Sequence, residues 1–357
     1  MKIQLSDRFT YSKLFRFTLP SVIMMVFTSI YGVVDGFFVS NFVGKTPFAA
    51  VNFIMPVLMI LGTVGFMFGA GGSALIARTM GEGDSERARR LFSLFVYVTV
   101  ALGVVLGAFG FIFIRPIAVW LGAKGEMLEN CVLYARIILP ALPALMLQYE
   151  FQSFFITAER PQLGLMVTVI AGMANMVLDA RFTAIFPWGL AGAAAATAVS
   201  QLVGGIVPLF YFGRKNKSLL RLCGTGFDGK ALLKACANGS SELMSNICMS
   251  IVSMLYNAQL IRYAGEDGIA AYGVLMYVSF VFLAMFIGYS TGVAPVVGFH
   301  YVAGSHTELR SLYRKSLAIT LTASAVMLAL AEALARPFSA VFVSYDPGLF
   351  QMTVHAF

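Results

Sequence analysis

Nine long apolar runs, each bounded by charged residues or by Gly and Pro, organise the sequence. They cover positions 17–42, 48–77, 91–114, 131–157 and 162–178, then 188–212, 231–261, 268–299 and 312–335, with the start of a tenth before Phe357. A run of about twenty apolar residues crosses hydrocarbon as a helix, whereas a barrel strand needs roughly half that length. A helix also satisfies its own backbone hydrogen bonds in lipid. The pattern predicts an all-α, polytopic membrane helix bundle. The first run follows Lys2, Arg8, Lys13 and Arg16. It is too long for the apolar part of a signal peptide and has no small-residue cleavage site, so it reads as the first span.

Composition agrees, with 59% apolar and only 12% charged residues in 357. Threading the nine spans places 18 of the 25 Lys and Arg on the side of the N-terminus and leaves 7 on the other. Basic residues favour the cytoplasmic side, so the expected topology is multi-pass in the plasma (cell inner) membrane with a cytoplasmic N-terminus. The net charge of +8 is thereby explained by topology, and no nucleic-acid partner is expected. Cys131, Cys223, Cys236 and Cys248 show no CxxC spacing, and His300, His306 and His355 show no ligand spacing. No disulfide, metal site or cofactor is expected. Nor is there an HExxH motif or a plausible catalytic aspartate pair, so an enzyme is not expected.

Laying the second half over the first at a fixed offset of 221 positions pairs Ser29-Ile30 with Ser250-Ile251, Gly44 with Gly265 and Ala49-Ala50 with Ala270-Ala271. The same offset pairs Gly71 with Gly292, Gly83 with Gly304, Arg89 with Arg310 and Arg115-Pro116 with Arg336-Pro337. Repeats of this kind build transporter halves, and an even number of spans per half gives a pseudo-two-fold along the membrane normal. The expected organisation is an N-terminal six-helix lobe at 1–212, a cytoplasmic basic linker at 213–230 and an incomplete C-terminal lobe at 231–357, holding spans seven to nine and the start of ten. A full second lobe would run to about residue 434, so it is expected to be truncated after about three helices.

Ionisable side chains within spans cost roughly 2.5–3.5 kcal/mol each on insertion scales and so point to function. Asp35 lies in span one in Tyr31-Gly-Val-Val-Asp35-Gly36, with no basic neighbour in sequence. Asp179 ends span five in Asn175-Met-Val-Leu-Asp179. The i, i+4 spacing sets amide and carboxylate on one face, an arrangement suited to Na⁺ or H⁺; a helix-end pair with Arg181 is the plainer alternative. Glu150 sits among Gln148 and Gln152 in span four, a possible substrate or proton group facing the bundle, or a residue near its cytoplasmic end. Glu242 opens span seven as a possible substrate or proton group, or simply as a carboxylate favoured at a helix N-terminus. Glu332 and Arg336 read as an ordinary helix-end ion pair. Gly69-Ala-Gly71-Gly72-Ser73-Ala74 lacks the Lys-Ser/Thr of a phosphate loop and reads as a close-packing surface. The 19 methionines and 32 phenylalanines suit a surface for varied apolar ligands.

These residues resemble the multidrug and toxic compound extrusion (MATE) family, especially its bacterial small-drug exporters. The likeness is carried by Leu19-Pro20, the stretch from Val34-Asp35-Gly36 to Gly44, Gly71-Gly-Ser-Ala-Leu-Ile-Ala-Arg78 with Gly81-Glu-Gly-Asp84, and Asn175-Met-Val-Leu-Asp179 followed by Trp188-Gly-Leu-Ala-Gly-Ala-Ala194. It implies twelve helices in two six-helix lobes. It also implies a cation site in the first lobe, to which Asp35, Asn175, Asp179 and Thr197 correspond. Glu242 resembles a span-seven acid used by some relatives. Where relatives read Pro-Leu-Phe after the aspartate, this chain has Ala180-Arg181-Phe182. The expected function is a secondary antiporter, a monomer in the lipid bilayer, exporting small organic cations in exchange for Na⁺ or H⁺. The alternatives are a lipid-linked saccharide or polysaccharide flippase and a truncated, non-transporting remnant.

Overall fold

The computed structural model describes residues 9–158, 160–186, 188–214, 218, 220–302 and 305–357. Among them every regular element is helical. The order is α1 (Tyr11–Phe38), α2 (Lys45–Gly62), α3 (Val64–Gly81), α4 (Ser85–Leu121), α5 (Gly125–Ile138), α6 (Leu142–Thr157), α7 (Pro161–Asp179), α8 (Gly189–Gly213), α9 (Gly229–Tyr263), α10 (Gly265–Val302), α11 (His306–Val343) and α12 (Pro347–Ala356). Short π-helical turns follow α1 (Val39–Val43) and α7 (Ala180–Ile185), and a 3₁₀ turn (Leu139–Ala141) joins α5 to α6.

Two of the expected spans are compound. The run at 48–77 divides at Thr63 into α2 and α3, and the run at 131–157 begins earlier, at Gly125, and is interrupted at Pro140. Helices α4 and α11, with 37 and 38 residues, are about 55 Å long, well beyond a hydrocarbon core of about 30 Å. Hence Arg115-Pro116 and Arg336-Pro337, expected at span ends, lie inside helices. Asp84 caps α4 by accepting from the Arg87 amide at 3.0 Å, and Gly122 ends it in the left-handed region at φ 110°. Among the described residues eight helical stretches are long and apolar enough to cross a membrane, and α9 is not one of them. Its middle carries Ser240, Ser241, Glu242, Ser245 and Asn246, too polar a run for that test.

The chain divides into two compact units, Phe38–Ala270, and Met1–Phe37 with Ala271–Phe357. In the first, an aromatic core of Phe92, Phe95, Phe151, Phe154 and Phe212 is almost wholly buried. Glycines admit backbone to backbone: Gly71 of α3 lies against the Ala235 carbonyl of α9, and Gly239 of α9 against the Met67 carbonyl of α3. Gly69 meets the Glu150 backbone, and Gly72 meets Phe95 and Phe154, so the Gly69–Ala74 run is a packing surface on three sides. In the second unit α1 runs along α10. The Ser29 hydroxyl donates to the Phe280 carbonyl at 3.3 Å, Gly36 seats the Tyr277 ring, and Leu14 and Phe17 pack with Tyr289, Val296 and Leu312. Glu308 accepts from the Phe9 amide at 3.0 Å, closing that end.

Candidate cation site

Asn175 and Asp179 occupy one face of α7, and both are buried, at 3% and 0% exposure. Directly after Asp179 the helix widens into the π turn Ala180–Ile185, a geometry that recurs at functional sites. The Thr183 hydroxyl returns to the Asp179 carbonyl at 2.6 Å, holding the widened turn. Helix α8 runs antiparallel to α7. The Ser200 hydroxyl donates to the Ala171 carbonyl at 2.8 Å, and further along Gly192 lies against the Phe182 carbonyl. That register brings half-buried Thr197 opposite Asn175, and the buried Ala193 and Ala194 opposite Asp179. Asn175, Asp179 and Thr197 therefore share one helix pair of the Phe38–Ala270 unit. Arg181, the alternative partner for Asp179, is exposed on the π turn while Asp179 is wholly buried. Two residues apart, they point to different sides of the helix.

Asp35 is described in the other unit. It is 6% exposed near the end of α1, one turn after Tyr31. Beside it Gly36 has no side chain, which lets the Tyr277 ring approach; that ring stacks on Phe342 at 5.7 Å and 5°. Four residues after Asp35 the chain enters the π turn Val39–Val43. Both expected carboxylates thus precede π turns, a feature without a sequence signature. The two turns, which belong to one unit, touch each other.

The remaining acids separate. Glu150 lies on α6, in the last quarter of the compound stretch Gly125–Thr157, and is fully buried. Glu242 does not open a helix. It is exposed in the middle of α9, whose N-terminus is at Gly229, capped by Asp228 accepting from the Ala231 amide at 3.0 Å. The Asp228-Gly229 pair was the signal that would have placed this start. Glu332 and Arg336 are both exposed on α11, and no ion pair among the described residues joins them.

The MatE family profile matches residues 20–181 and 243–355. The chain is 25% identical over 295 residues to the multidrug export protein MepA of Staphylococcus haemolyticus (strain JCSC1435), covering 82% of this chain and 65% of that protein. MepA of Staphylococcus aureus (strain N315) matches with the same identity and coverage. The chain thus spans about two thirds of the length of these curated relatives, 65%. Among solved structures, an inward-facing multidrug resistance MATE family transporter of the MOP superfamily superposes with a TM-score of 0.84 at 22% identity, covering 92% of this chain and 76% of that one. A MOP superfamily transporter from Pyrococcus furiosus, described as having a binding pocket of reverse polarity, gives 0.80 at 23% identity, covering 98% and 77%. These likenesses give the fold, and the profile match, which takes in most of the sequence, gives the lineage: the chain belongs to the MatE family.

Proposed function

We propose that this chain works as a secondary antiporter, exporting amphipathic organic cations in exchange for Na⁺ or H⁺. Its setting is the plasma membrane, with the N-terminus in the cytoplasm and the protein a monomer. The observation that carries the reading is the buried Asn175–Asp179 face, with Thr197 opposite and a π turn at its end. Carboxylate, amide and hydroxyl oxygens together provide a ligand set for a small cation, and Asp35 adds a second carboxylate to the proposal. The names of the curated relatives, multidrug export proteins, support the substrate class, as does the abundance of Met and Phe. Buried acids and no buried Lys or Arg among the described residues favour cationic cargo over an anionic saccharide lipid.

A pseudo-two-fold organisation in two lobes, 1–212 and 231–357 about the linker 213–230, is part of the proposal. It is supported by helix starts that recur at nearly one spacing: Lys45 and Gly265, Ser85 and His306, Gly125 and Pro347. Helix pairing supports it as well. Asn257 of α9 donates to the Asn52 carbonyl of α2 at 3.2 Å. Shifting these two positions by the repeat offset in opposite senses gives Gly36 and Gly273, and Gly36 packs on Tyr277, one turn from Gly273.

Ion binding drives export only if it favours one facing state over the other. D35N and D179N are each expected to reduce ion-driven ethidium efflux from loaded vesicles to the level of vesicles lacking the protein, with unchanged amounts of protein in the membrane. Efflux that persists in both variants overturns the mechanism.

A further inference from the structure

Glu150 lies on α6, apart from the α7–α8 face, and the reading above gives it no role. Its carboxyl is completely buried, and neither oxygen has a hydrogen-bond partner among the described residues. Thr99, on α4, is also completely buried, lies within interaction range of that carboxyl, and likewise has a hydroxyl with no hydrogen-bond partner among the described residues. Threonines elsewhere in these helices, such as Thr79, Thr157, Thr168 and Thr322, return their hydroxyls to the carbonyl four residues back. Thr99 does not; its hydroxyl is left for Glu150.

The other helices packed around α6 supply no countercharge. From α2 comes Gly62, from α3 Gly65 and Gly69, from α4 Gly103, from α7 Gly164, and from α8 Gly204 and Gly205. The Tyr149 hydroxyl beside Glu150 is directed to the Met59 sulfur at 3.7 Å. Gln201, one turn before Gly204 on α8, presents a buried side-chain oxygen that accepts from no described group. Among the described residues of the Phe38–Ala270 unit the only other buried carboxyl is that of Asp179, and no described Lys or Arg is buried.

An isolated carboxylate in such surroundings costs several kcal/mol or more, while the neutral acid needs only a hydrogen-bond partner. The chemistry that fits is a single proton. We propose that Glu150 is a proton-carrying site, paired with the Thr99 hydroxyl and separate from the Asn175–Asp179 face. It releases its proton when α6 moves against α4 and opens the pair to water. This deepens the antiport reading by assigning it a proton carrier, and rests on that reading only for the release step.

The test is infrared spectroscopy of the purified protein in detergent at neutral pH, where a protonated carboxyl gives a carbonyl stretch distinct from that of a carboxylate. A buried-acid band present in the wild type and lost in E150Q is expected; a spectrum that E150Q leaves unchanged overturns the proposal. T99V, which keeps the side-chain volume, is expected to retain the band and shift its frequency. An unshifted band overturns the pairing. In weakly buffered solution, adding tetraphenylphosphonium is expected to release fewer protons from E150Q than from the wild type, and equal release overturns the coupling role. A wild type with the infrared band but no ion-driven efflux leaves the protonation site standing and removes the antiport reading instead.

Discussion

Single residues decide how closely the helices approach. Gly71 and Gly239 lie face to face across α3 and α9, and a side chain on either would meet a backbone carbonyl. Backbone yields less readily than a flexible side chain, so G71V and G239V are each expected to lose about 1–3 kcal/mol through overpacking. Thermal unfolding in detergent checks this: the melting temperature should fall in both, and should hold in G213A, where a methyl group meets open space. Asp35, Asn175 and Asp179 were legible because charge and amide stand out in apolar sequence and helical spacing puts the latter two on one face. Glu242 was misplaced for a different reason. Its helix starts thirteen residues earlier, at Gly229, close to the start of the apolar run at 231, and the polar Ser240–Glu242 stretch imitates a helix end although it lies inside the helix. Thr99 carried no signal at all, since a threonine in an apolar run looks the same whether it bonds its own helix or a neighbouring acid.

At the scale of the element, the π turns are the feature that periodicity could not supply. A π turn amounts to one residue more than an α-helical path needs, and nothing in the spacing of Ala180–Ile185 marks the extra residue. Deleting Ala184 is expected to restore α-helical geometry after Asp179 and rotate everything beyond it. The measurable outcome is loss of ion-driven efflux in a protein that still inserts; efflux preserved in the deletion variant would show that the widened turn is incidental. Capping gives a second prediction. D228A removes the acceptor of the Ala231 amide at the start of α9, a change of about 1 kcal/mol, so it should lower the melting temperature less than G239V. The span pattern was legible wherever long apolar runs ended at charges. It failed at Thr63, because hydrophobicity is continuous across that interruption and only backbone geometry changes, whereas at Pro140 the proline itself marks the break.

At the scale of the whole molecule, the distribution of Lys and Arg makes a topological prediction. In a background without the native cysteines, a cysteine at Ser218 should react with a membrane-impermeant maleimide only in inverted vesicles, and one at Lys124 only in intact cells. The reverse pattern would invert the proposed orientation.

The pairing of α1 with α10 and of α9 with α2 and α3 bears on ancestry. On the proposed division into two lobes, the opening helix of one is in each case seated on the second span of the other. A single ancestral repeat could have obtained the same contacts by lending its first helix to a twin, as in an exchanged homodimer. Duplication and fusion would then have made that loan permanent. On this history, severing the polypeptide in the basic stretch after α8 leaves two fragments whose leading helices each need the other fragment, and they should be recovered together or not at all.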